Sequence, residues 1–499
     1  MLLQNKLCGL TQNVKSLVNC RLRACAAART LLTGSLLLGG GLAAAGTDVI
    51  AYLADQDQND VVELYRVDVK TSNVTKLNSP LTSGGIVMLM GIDAKGKNVA
   101  YIADQDLDDV VELYNVDLKT GTVKKLNPDF NGDQDVGDFS FDAKGTGVIY
   151  VANQDSVNTA ELYSADLKTS SVKKLNGPLV ANGSVEFFRT DGQGKSVVYV
   201  ADQDIDEVFE LYHVDTKSGV VRKVNPDFAP GQQLGDFRVD VKGKFVVYAA
   251  TQDSTTTYEL YKSDLKTGIV TKISAPITSG GNVYSFEIDS KGKSVVYLAD
   301  QDTYNLPELY RVELKTGAVS KISAPQTAPG GEGVSFDFQI SPKGDVIVYR
   351  ADQEIADKTE LYKVDLKTSS VTKISGPLIA DGDVSFGFRF DPKGKNLAFV
   401  ADSEIDGVRE LFNTDFKASS TVRLNPPLPA GRRVVSDMFQ FDSKGKTISY
   451  IADQDEDDVD EAYQVDLKTG AVVQLNAPLV PGGDVHILSV QGNKVEIIE

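Results

Sequence analysis

Short apolar runs, rich in β-branched and aromatic side chains, alternate with polar turns along nearly the whole chain, and the order of runs and turns recurs. In the stretch 86–127, Ile86 to Asp93 form one run, closed by Ala94-Lys95-Gly96-Lys97, and Asn98 to Ala103 form a second. The acidic segment Asp104 to Val111 leads to a third run at Glu112 to Asp117, and Leu118-Lys119-Thr120-Gly121 turns the chain into a fourth, Thr122 to Leu126. This pattern predicts four antiparallel strands per unit, A to D, and nowhere does a helical period run long enough to compete.

The unit is copied. Glu-Leu-Tyr, or a close variant, opens strand C nine times, its glutamate falling at Glu63, Glu112, Glu161, Glu210, Glu259, Glu308, Glu360, Glu410 and Glu461. The spacing is 49 residues five times, then 52, 50 and 51. A period of this length, with four strands in each copy, predicts an all-β fold, a β-propeller of nine four-stranded antiparallel blades filling residues 46–499 as one domain. The first unit opens on strand B (Val49 to Ala54) and lacks a strand A, which Val485 to Val490 at the other end of the chain can supply. A carboxyl-terminal strand joining the first blade closes the ring and removes its open edges. The segment Lys494 to Ile498 duplicates strand B and is given no place.

Strand B of the sixth unit, Val295-Val296-Tyr297-Leu298-Ala299, is apolar on both faces, as a strand covered by neighbouring blades should be. Strand D carries a basic residue at one position: Lys76, Lys125, Lys174, Lys223, Lys272, Lys321, Lys373 and Arg423. Lysine on an edge strand blocks edge-to-edge pairing, so D is expected at the rim and A along the central channel.

Ile340-Ser341-Pro342-Lys343-Gly344-Asp345 and Phe390-Asp391-Pro392-Lys393-Gly394-Lys395 each precede an apolar strand, an Ala-Asp, and Glu-Leu-Tyr or Glu-Leu-Phe. These units resemble the TolB-like propeller repeat, over essentially all of the chain after the leader. The resemblance implies the fold; propellers of that family serve as protein-binding modules and as companion domains of peptidases. The chain departs from the family by lacking the tryptophan of strand A and by carrying extra residues after Asp-Gln-Asp, and a role in the Tol system does not carry over.

Residues 1–45 differ in character. They contain no Asp or Glu, carry Lys6, Lys15, Arg21, Arg23 and Arg29, then run through Leu31 to Leu38 into Ala43-Ala44-Ala45-Gly46. Basic, apolar and small residues in that order predict a secretory leader and an exported protein, periplasmic or extracellular, while the apolar run is too short to span a bilayer. All three cysteines, Cys8, Cys20 and Cys25, lie in this leader, so the remaining chain has no thiol chemistry. Setting its five positive residues aside takes the formal charge from −19 to −24. Such a surface repels nucleic acid and anionic lipid and favours cations and basic partners.

The turns divide that charge. A-to-B and C-to-D turns collect lysines on one side of the disc; B-to-C loops and D-to-A connections collect acids on the other. In the second unit Asp104, Asp106, Asp108 and Glu112 occupy loop positions 1, 3, 5 and 9, and the ninth repeats this with Asp453, Asp455, Asp457 and Glu461. The fourth has Asp202, Asp204, Asp206 and Glu210, the eighth Asp402, Glu404, Asp406 and Glu410. Alternating oxygen ligands closed by a carboxylate suit Ca2+, and the spacing is similar to the loops of integrin-type propellers. The same residues also serve as turn formers that bond their own backbone.

Other chemistry is sparse. The two histidines, His213 and His486, fall in strands with no nucleophile evident beside them, no Gly-x-Ser-x-Gly elbow occurs, and the glycine pairs precede no helix. Without tryptophan, a sugar-stacking surface is not favoured. The reading that follows is a monomeric, non-enzymatic propeller without an assured cofactor, binding a protein partner, of basic character, through its acidic face. Its alternatives are a calcium-dependent disc and a hydrolase or lyase using carboxylates at the channel mouth.

Overall fold

A computed structural model describes residues 48–491. The leader and the segment Lys494 to Ile498 lie outside them. Nine four-stranded antiparallel sheets form, each in the order A-B-C-D, and the strand Val485–Val490 pairs with Ile50–Ala54 to complete the first unit. The propeller and its closure are as the repeat predicts. Strands A of successive units touch one another, which puts them innermost, and strands D form the rim. Among the described residues no helix is long and apolar enough to cross a membrane.

Each sheet packs on its neighbours through strand B, buried over most of its length. Its tyrosine sits opposite that of strand C, as Tyr199 pairs with Tyr212, and the rings stack with centroids 5.5 Å apart. Eight units use a tyrosine pair and the eighth uses Phe399 with Phe412. A stacked pair contributes about 0.5–1.5 kcal/mol beyond its burial. The A-to-B turns lock blade to blade: Gly292 holds φ 66°, and a Cβ there would come within 2.5 Å of Asp240 Oδ1 of the preceding unit. Lysines of these turns donate to main-chain carbonyls one unit on, as Lys291 does to Lys343 O at 2.8 Å.

The recurring motif is a polar frame for the blade. The strand B tyrosine donates to the glutamine of Asp-Gln-Asp, as Tyr101 does to Gln105 at 2.6 Å. The strand C tyrosine donates to the glutamate of Glu-Leu-Tyr, as Tyr114 does to Glu112 at 2.9 Å. The strand D cation, expected only as an edge guard, turns back over its own blade. Lys125 lies 2.8 Å from Asp106 and 2.9 Å from Glu112. Burial pushes the Lys125 ammonium down, but the two carboxylates outweigh it and raise it well above the ordinary lysine range.

Because Glu210 is buried against Lys223 at 3.0 Å, removing the cation strands a charge. Lys223→Met is expected to cost about 3 kcal/mol in urea unfolding, and Glu210→Gln added to it to recover most of that loss.

Candidate functional site

Subtracting the repeat leaves a small set of departures, and the irregular spacing maps onto them. In the first six units strand A has one residue more than strand B between its first Val or Leu and the next register point, as where Val283 pairs with Ala299 and Ser285 with Leu298. The seventh unit has two extra residues (Val334 to Ala351, Phe338 to Tyr349) and so has the eighth (Val384 to Ala401, Arg389 to Ala398). The ninth has three (Val434 to Ala452, Phe439 to Tyr450). These bulges account for the spacings of 50 and 51 and for one of the three residues added in 52; the other two lie in the connection 324–333. Bulges bend a strand and re-aim side chains, and they gather beside active sites. Here all the extra strand residues fall on the channel wall of units seven to nine. Asp437 in the largest bulge holds φ 64°, faces Gly387, and accepts Arg389 Nη2 on its carbonyl at 3.0 Å.

Beside that bulge lies the closing strand, and on it His486. Its side chain is 43% exposed on this innermost strand. His486 Nε2 lies 3.2 Å from Asp55 Oδ1, an aspartate 4% exposed. Asp55 is fixed by the amides of Asp484 at 2.5 Å and Asp60 at 3.0 Å. The sequence treats His486 as a strand residue without a partner; ring closure brings Asp55, 431 positions away, against it.

The same geometry recurs with other titratable groups. The residue after the first Val of strand A lies near the loop's first aspartate, so Glu186 meets Asp202 and Tyr284 meets Asp300. Burial raises the Glu186 carboxyl, a bond from the Ser184 hydroxyl at 2.9 Å opposes this, and the charge of Asp202 adds to it. Further along the wall Asp236 lies 3.3 Å from Arg189 and is paired with Arg238 as well.

The loop residues predicted as calcium ligands point three ways. Asp104, Asp202, Asp402 and Asp453 accept main-chain amides of the D-to-A connection, from Ile86 at 2.5 Å, Ser184 at 2.5 Å, Asp383 at 2.6 Å and Arg433 at 2.5 Å. Asp106 with Glu112, Asp204 with Glu210, and Glu404 with Glu410 each grip their rim cation, Lys125, Lys223 or Arg423. Asp108, Asp206, Asp406 and Asp457 are exposed at the loop tips. Among the described residues no three His, Cys, Asp or Glu side chains gather where they could hold a metal ion. The ninth unit differs: Gln474 stands where the others have a cation, and Asp455 and Glu461 share the Tyr463 hydroxyl at 3.1 and 2.7 Å.

No protein-family model and no curated protein matches this sequence. Solved structures do. Dipeptidyl peptidase 4 of Porphyromonas gingivalis is 14% identical, with 69% of this chain and 54% of that one covered and a TM-score of 0.49. An oligogalacturonate lyase of Vibrio parahaemolyticus is 14% identical, covering 77% of this chain and 98% of that one, TM-score 0.41. TolB of Acinetobacter baumannii is 19% identical over 55% of this chain and 62% of its own, TM-score 0.30. The chain spans about half the length of the peptidases it matches. The expectation of a non-enzymatic protein-binding scaffold is corrected here: the similar structures include peptidases and a lyase as well as TolB. In fold, the described residues form a nine-bladed β-propeller.

Proposed function

We propose that this propeller is the channel-bearing part of an exported enzyme of the hydrolase or lyase kind, with His486 as its acid–base group and Asp55 as the residue that orients it. The observation that carries the reading is the half-exposed imidazole held 3.2 Å from a buried carboxylate on the innermost strand of the closing blade. It supplies a positioned proton acceptor. In hydrolysis the imidazole would take a proton from the attacking water and return it to the leaving group; in elimination it would take a carbon-bound proton and return it to the departing oxygen. The bulged wall of units seven to nine would position the substrate beside it. Export is supported by the basic-then-apolar order of residues 1–45.

A second reading keeps calcium for the ninth unit alone, where Asp455, Glu461 and Gln474 have no rim cation among the described residues. Millimolar calcium is expected to raise the melting temperature of the whole chain and Asp455→Asn to abolish the rise, since a ligand of the native state stabilises it. An unchanged melt would remove this reading. For the first, His486→Gln should leave the melt unchanged and lower kcat/KM by about 100-fold or more on whichever substrate, peptide amide or oligogalacturonate, the native protein cleaves. Undiminished turnover in that variant would show that His486 is not the acid–base group.

A further inference from the structure

Three aromatic side chains between units six and seven have no part in the repeat. Tyr304 takes the fifth position of its B-to-C loop, where the other units carry Asn, Asp, Val, Thr or Ala. Tyr284 follows the first Val of strand A in the same unit, and Phe336 lies in the enlarged bulge of unit seven, between Val334 and Phe338. All three stand outside the ring pairs that stack strand B on strand C in these units, Tyr297 with Tyr310 and Tyr349 with Tyr362.

The fold brings them together. The rings of Tyr284 and Phe336 meet edge to face, with centroids 5.2 Å apart and planes at 89°. The Ser285 hydroxyl ties the two strands at the same level, donating to Phe336 O at 3.4 Å. Tyr304 is close enough to Tyr284 to act on its hydroxyl, and its ring lies against the D-to-A turn, where a Cβ on Gly280 would come within 3.1 Å of Tyr304 Cε2. Phe336 is 43% exposed, Tyr304 57% exposed and Tyr284 half-buried, so the corner they make faces solvent.

Behind the corner a carboxylate is sealed in. Asp300 is 0% exposed, lies beside Tyr284, and gives its two oxygens to the amides of Asn282 at 2.5 Å and Asn305 at 3.2 Å. Burial, and after it the charge of Asp300, pushes the Tyr284 hydroxyl well above the ordinary tyrosine range, which keeps that ring neutral. Ring faces set at right angles over a fixed negative charge attract a cation. Elsewhere the chain lays its own cations on such faces, as Arg189 over Phe237 at 5.7 Å and Lys262 over Phe245 at 5.1 Å. Among the described residues none lies over Tyr284 or Tyr304, and Arg350, the cation beside the bulge of unit seven, is held by Asp337 at 2.8 Å.

The class of cation follows from what the corner does not offer. A primary ammonium or a guanidinium would give up water from its N–H donors and meet no open acceptor, since Asp300 has no surface and Asp302 is turned to Tyr310 of strand C. A quaternary ammonium spreads its charge over methyl groups and needs no acceptor, only ring faces and a field.

We infer that Tyr284, Tyr304 and Phe336, backed by Asp300, form a binding site for a quaternary ammonium group. The site is separate from His486 and does not depend on the role given to that residue.

The test is calorimetric titration of the whole chain with choline, with 3,3-dimethylbutan-1-ol, which has the same shape without the charge, and with butylammonium, which has the charge with N–H donors. Choline is expected to bind, the alcohol and butylammonium to bind about tenfold more weakly or worse, and Phe336→Leu and Tyr304→Leu each to weaken choline about fivefold. Leucine keeps the apolar bulk and removes the ring face, and because both positions are exposed the melting temperature should not move. An alcohol that binds as tightly as choline, butylammonium binding more tightly than choline, choline binding unchanged in both variants, or no choline binding at millimolar concentration would each overturn the inference. A further arm with the amide of acetylated trimethyllysine tells the source of the group: tighter binding than choline supports the site with a methylated peptide as its ligand, and equal or weaker binding supports it with a small free ammonium.

Discussion

Closure of the ring is the constraint on which everything else depends. Nine radial sheets bury their faces only if the last packs on the first, and the chain meets this by lending Val485–Val490 to the sheet that begins at Ile50. The two ends are pinned at several points: Asp484 N to Asp55, Gln491 N to Val49 O, Val490 N to Gln440 and the Asp48 carboxylate to Ser443. Each interface must subtend nearly the same angle, so strands B and C and their ring pairs are kept alike from unit to unit, and the rim ion pair in eight of the nine. Variation without cost is left to the inner strands, whose edge faces the channel, and to the loop tips.

This separates structure from function residue by residue. The Glu-Leu-Tyr and Asp-Gln-Asp motifs, which first suggest chemistry, are explained by the blade itself: glutamine for the strand B hydroxyl, glutamate for the strand C hydroxyl and rim cation, the first aspartate for the D-to-A turn. Local rules that hold nine times describe a fold, whereas single departures mark where selection asked for something else. His486, Asp437, Met438 and Met88 are departures of that kind, and they lie on three adjacent inner strands.

Much of the fold was legible in the sequence because period and alternation are local signals. Nine units, four strands in each, the rim and channel assignments and the closing strand all follow from apolar patterning and glycine turns. The site was not legible for the opposite reason. The His486–Asp55 pair joins residues 431 apart that only closure brings together. The bulges were present as spacings of 52, 50 and 51, but spacing alone does not say which of the unit's connections takes the extra residues. The loop acids have a structural use that their spacing does not show. Their alternation suits a cation, and in units such as the second a cation is supplied, by the lysine of strand D fifteen or so residues further on.

The account stands on the claim that the enlarged bulge of unit nine belongs to the site and not to the fold. Deleting Ser436 and Asp437 would return that strand to the single extra residue of the first six units. Turnover and melting temperature measured on the shortened and native chains decide the matter. The account predicts a folded disc with an unchanged or higher melting temperature and no turnover; a folded disc that turns over substrate at the native rate would contradict it.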